Sequence, residues 1–174
     1  HLIGEHEAQA LNYAAMVGLN RVKLINFGGP KVEGKLLGAP FAELDRRNVR
    51  VSKSQWTPFS ESCENLAADF ESFVRDVGGY LRTEIYEEFL VWLCGGVDAC
   101  IQRLPITRDN TEMGKHRCRM HSENCAFVVT GLKPGKGREN YARQLQSLIK
   151  ALPIQAFQWI NIHHLDVSFV TVER

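Results

Sequence analysis

The stretch His6-Glu7-Ala8-Gln9-Ala10-Leu11-Asn12-Tyr13, running on to Val22-Lys23-Leu24-Ile25-Asn26-Phe27-Gly28, decides how the chain is read. Its first half has the composition of a helix, predicted over residues 5–17. A helix places residues three or four apart on one face, so His6, Gln9 and Tyr13 align three polar tips beside an apolar run. Gly18 suits the left-handed residue that stops a helix, and Leu19 the apolar contact such stops make. Residues 22–27 follow as a nearly unbroken apolar strand, the pattern of a strand covered on both faces. Gly28-Gly29-Pro30 ends it, and a further short strand is expected over residues 31–37.

Downstream, residues 40–58 change character, with Arg46, Arg47, Arg50 and Lys53 among few apolar residues. They read as a linker with a short strand about Val49-Arg50-Val51, the natural domain boundary. Ser60 or Ser62 then caps a helix with Glu61 and Glu64 in its first turn. Leu66, Phe70, Phe73, Val74 and Val77 give that helix its apolar stripe, and Gly78-Gly79 stops it. Residues 80–85 are expected extended and residues 86–93 helical, up to Gly95-Gly96. Strands follow over residues 100–107, 115–121 and 126–130, with a turn at Asp109-Asn110. A Pro-Gly loop at Pro134-Gly135 leads to a helix carrying Tyr141, Leu145, Leu148, Ile149 and Leu152, stopped by Pro153. Residues 156–162 and 167–172 close the chain as two strands. The expected class is α+β: a terminal helix and strand of a larger α/β core over residues 1–39, a linker over 40–59, and a small α+β domain with mainly antiparallel strands over 60–174.

The chain has 174 residues, 44% of them hydrophobic and 24% charged, a balance that argues against disorder. Its net charge of +1 means that any nucleic-acid binding needs a local patch. No apolar run approaches the roughly 20 residues of a membrane span, and no membrane partner is expected. Five cysteines, Cys63, Cys94, Cys100, Cys118 and Cys125, are an odd number. They read as reduced thiols of a cytoplasmic protein.

Gln9-Ala10-Leu11-Asn12-Tyr13 matches the Gln-x-x-x-Tyr helix of the RecB-like branch of the PD-(D/E)XK nuclease superfamily. With the preceding His6-Glu7-Ala8, then Gly18-Leu19 and residues 22–28, the segment resembles the C-terminal end of the GxxExxY family, a small group assigned to that superfamily. The resemblance is dense over residues 5–28 and thins by Leu37. Tyr86-Glu87-Glu88 and Gln158-Trp159-Ile160-Asn161-Ile162 also look like an extension found in some members, one that brings no function with it. The resemblance implies a restriction-endonuclease-like core that cleaves DNA or RNA phosphodiesters with Mg²⁺ held by an Asp and a Glu-x-Lys. Gln9, Tyr13 and His6 would support such a site by packing and hydrogen bonding. Residues 1–8 contain no such Asp and Glu-x-Lys pair, and the chain opens on His1 rather than Met. The expectation is therefore a fragment that is inactive by itself, with Mg²⁺ required only by the intact parent and no catalytic residue or cofactor in this chain.

Other groupings point to different chemistry. His116, Cys118, His121 and Cys125 are zinc-type residues, yet no Cys-x-x-Cys pair accompanies them. On a strand, His121 points away from His116 and Cys118. Buried thiols and surface histidines account for them, and no metal site is expected. Cys94 beside Gly95-Gly96 admits a cysteine nucleophile with a histidine base, although the glycines read more simply as a helix stop. Trp56, Trp92 and Trp159 read as core or boundary residues. A solvated surface accounts for each basic cluster taken alone. Lys115, Arg117 and Arg119 stand out because period-2 spacing gathers three cations on one strand face, where they suit phosphate. The alternative to a nuclease fragment is thus a non-catalytic nucleic-acid- or protein-binding module.

Overall fold

The computed structural model describes residues 4–38 and 46–174. The first helix, α1 (Gly4–Met16), is followed by a hairpin of β1 (Arg21–Asn26) and β2 (Glu33–Gly38). The rest runs β3 (Arg50–Gln55), α2 (Glu61–Val77), α3 (Thr83–Leu93), α4 (Val97–Cys100), β4 (Ile101–Arg108), β5 (Thr111–Ser122), β6 (Cys125–Thr130), α5 (Lys136–Ile149), β7 (Ala156–His163) and β8 (Asp166–Glu173). The architecture is α+β. β1 and β2 form a two-stranded antiparallel sheet, and the other strands form a six-stranded mixed sheet in the order β3-β8-β7-β6-β5-β4. β3 runs parallel to β8, and β6 parallel to β7; the other neighbours are antiparallel.

Alternation along the strands sorts the core into two layers. Phe127, Ile160, Ile162, Val167 and Phe169 face α2 and α3, whose Leu66, Phe70, Val74, Tyr86 and Leu90 pack on them. Residues of opposite parity, among them Met120, Ala126, Phe157, Trp159 and Val172, face Leu145 and Ile149 of α5. β7 is central and nearly wholly buried. Its polar residues are therefore hydrogen-bonded: Asn161 joins Thr130 and both backbone groups of Leu132, and Gln158 joins Thr57 and Thr171.

Three local devices hold α2 and α3, and α3 positions the site described below. Ser60 caps α2 by accepting from the Cys63 N–H. Gly78 (φ +83°) ends α2, and a Cβ at Gly79 would lie 2.1 Å from the His164 carbonyl oxygen. Only glycine allows so close an approach to the β7–β8 turn. Tyr86 then donates from Oη to the Gly78 carbonyl at 2.8 Å.

The unit α1-β1-β2 differs from expectation in one respect. β1 alternates between exposed and half-buried residues and is not covered on both faces. It has β2 as its strand partner and α1 over one face, with Glu7 paired to Lys35 at 2.8 Å. α1 itself buries only Ala10, Ala14 and Ala15, and Ala15 reaches the α2–α3 core. The strand expected about Val49-Arg50-Val51 extends to Gln55 as the edge strand β3. The stretch 83–85, expected extended, is the first turn of α3.

Candidate functional site

α3 has a groove on each flank. On one side lies a cleft of about 730 Å³ between α1 and α3, lined by Gln9, Asn12, Tyr13, Arg82, Glu84 and Glu88 among others. His6, Gln9 and Tyr13 do come together here. Gln9 Nε2 donates to Tyr13 Oη at 3.0 Å, the (i, i+4) contact predicted by helical spacing. Tyr13 is 59% exposed, so the phenol presents its ring to the cleft. Glu84 is held below the ordinary carboxylate range, first by its own backbone N–H and then by Arg82. It remains an anion at neutral pH. Among the described residues no three His, Cys, Asp or Glu side chains converge as a metal would require. No cleavage step is assigned to this cleft.

On the other flank of α3 lies a groove of about 370 Å³ against β5, lined by Glu87, Glu88, Val91, Trp92, Arg117 and Arg119 among others. Glu88 lies on the ridge shared by the two grooves. The strand trio divides here. Arg119 is ion-paired with Glu87 of α3, whereas Lys115 and Arg117 are exposed and have no ion-pair partner among the described residues.

A third exposed cation joins them. Arg103 on β4 stands directly across from Arg117. Like charges in that position repel. Their alignment depends on a single extra residue. The turn at Asp109 and Asn110, both with positive φ, pairs Arg108 with Thr111 and Thr107 with Glu112. Continued without interruption, that register would set Arg103 against His116, on the α5 face. A bulge between Ile106 and Thr107 shifts the pairing by one, so Ile106 meets Gly114 and Arg103 meets Arg117. A one-residue slip exchanges the faces of a strand, and bulges serve to re-aim side chains in this way. Arg103 was not legible as a site residue because the bulge is not announced by the sequence. Gly114, at φ +146°, is its only trace.

Trp92 also departs from expectation. It is neither core nor boundary but 70% exposed at the groove wall. Trp56 and Trp159 are packed as expected, against Phe169 and within the α5 layer.

Cys94 and His121 meet without the charges of a catalytic pair. Cys94 Sγ and His121 Nδ1 lie 3.5 Å apart. Burial, with Cys100 alongside, pushes the Cys94 thiol up to about 12, and burial pushes His121 down. Both stay neutral near pH 7, so no thiolate–imidazolium pair forms. All five cysteines are free thiols, four of them buried.

Comparison of the chain with protein-family models, with curated proteins and with solved structures finds no match. No helix among the described residues is long and apolar enough to cross a membrane.

Proposed function

We propose that this chain is a nucleic-acid-binding module, built beside the edge of a nuclease-like site, and that it does not itself cleave. The observation that carries the reading is the cation set Arg103, Lys115 and Arg117 on one exposed strand face, with no ion-pair partner among the described residues. The fold tolerates a cross-strand Arg–Arg repulsion there, and a polyanion relieves it by placing phosphate between the two guanidinium groups. The nuclease-like ancestry rests on Gln9 and Tyr13, and their hydrogen bond at the α1–α3 cleft supports it. Because Glu88 borders both grooves, a strand held along β5 passes one helix width from Gln9 and Tyr13.

The test is fluorescence anisotropy with a labelled oligonucleotide across a salt series. Three phosphate contacts predict a slope of about −2 to −3 in log K against log salt. The triple variant R103E/K115E/R117E loses binding. Binding that is indifferent to salt, or that survives the triple reversal, sinks the reading.

A further inference from the structure

An aromatic ladder runs from α2 onto the outer face of α3. Phe73 and Phe89 stack at 3.7 Å with 6° between their planes, and Phe89 holds Trp92 at 5.8 Å. Phe73 and Phe89 pack against the main core, while Trp92 is the open end of the series. The indole is backed by Phe89, which is itself stacked on Phe73, and the rest of it faces solvent. An exposed tryptophan contributes little to folding, because most of its apolar surface stays in water. Arg117 lines the same groove, with Arg103 directly across the ladder from it and Lys115 two residues along β5. The acidic residues of the groove are Glu87, already neutralised by Arg119, and Glu88, on the far ridge.

We infer that Trp92 is a base-stacking platform and that the groove takes a single-stranded polynucleotide, one base lying on the indole while its phosphates run along Arg117, Arg103 and Lys115. This rests on the nucleic-acid reading above and adds strandedness to it. A cationic track beside a fixed aromatic ring is how sequence-tolerant single-strand binders work, since every base has a π face. In a duplex the bases are stacked on one another, so a ring on a groove wall has no face to meet. Trp92 then adds nothing, and only the phosphate contacts remain.

The experiment uses the full chain with an oligonucleotide of about twelve bases, a length within the range of single-strand site sizes, in DNA and RNA forms, together with the matching duplexes. Single strands bind more tightly than duplexes and quench tryptophan emission, and the quench is absent in W92A. W92A weakens single-strand binding about five- to 150-fold, the range for loss of one stacked base, and leaves duplex binding within about twofold. W92F, which keeps a ring, retains most of the affinity. The exposed position of Trp92 means that neither variant threatens the fold. Equal affinity for single strand and duplex, with no quench and no effect of W92A, overturns the inference and leaves the cationic reading standing. Absence of salt-dependent binding to either form overturns both.

Discussion

Strands β1 and β7 are both rich in apolar residues, and they live in different surroundings. β7 has a strand bonded along each edge and a helical layer over each face, and seven of its eight residues are buried. Among the described residues β1 has one partner strand and one helix over it, and none of its six residues is fully buried. Around it Val17, Leu19, Phe27, Val32 and Leu36 are exposed. A strand is therefore buried by what lies beside it, and its own hydropathy only permits the burial. Two-stranded ribbons are marginal alone, and α1 supplies mostly alanine to cover this one.

The contrast is broken or upheld first by truncation. Trp159→Ala removes a 2%-exposed indole from β7 and a hydrogen bond to Thr130. It is expected to cost about 3–5 kcal/mol. Leu24→Ala on half-buried β1 is expected to cost under about 2 kcal/mol. Urea unfolding of the two variants compares them directly, and equal losses would mean that β1 is as firmly packed as β7. A second probe separates the regions by chemistry. All five cysteines lie between residues 61 and 174, so thiol labelling reports on the six-stranded unit alone. Burial pushes Cys125 up to about 12 and Cys118 up to about 11. Native labelling of these two at pH 8 is expected to be more than about tenfold slower than for a free thiol, while hydrogen exchange in β1 and β2 proceeds through easier local opening. Labelling of Cys125 at the rate of a free thiol would contradict the buried sheet.

The smallest expected effect concerns charge. Lys53 of β3 and Arg75 of α2 both grip Glu71, at 2.7 and 2.6 Å, and hold its carboxyl below the ordinary 4.5, Lys53 contributing most. A lowered carboxylate stabilises above its unfolded value, and that contribution disappears as pH falls through the folded value. Glu71→Gln is expected to cost about 0.5–1 kcal/mol at pH 7. At pH 3 the gap between variant and wild type shrinks, and chemical denaturation at the two pH values measures it. A gap that widens on acidification would reverse the sign.

What could be read from the chain follows the range of the interactions concerned. The Ser60 cap, the turn at Asp109-Asn110, the stop at Gly18 and the Gln9–Tyr13 contact are settled within a few residues, and each appears where local chemistry puts it. The grouping of Lys115 with Arg117 needed only strand alternation. The solitary position of β1, the membership of β3 in the main sheet and the pairing of Arg103 with Arg117 all depend on distant partners or on one bulged residue. No local pattern encodes them. The exposure of Trp92 belongs to the same class, since its ladder from Phe73 through Phe89 joins two helices.

The parallel pairing of β3 with β8 has a consequence in time. Arg50 and Asp166, joined at 2.6 Å, are 116 residues apart in sequence. During synthesis β3 leaves the ribosome well before the strand that will hold it, and at ordinary elongation rates that interval lasts roughly 6–25 s. Until β8 emerges, β3 has no strand to pair with, and its backbone edge stays open to other partners.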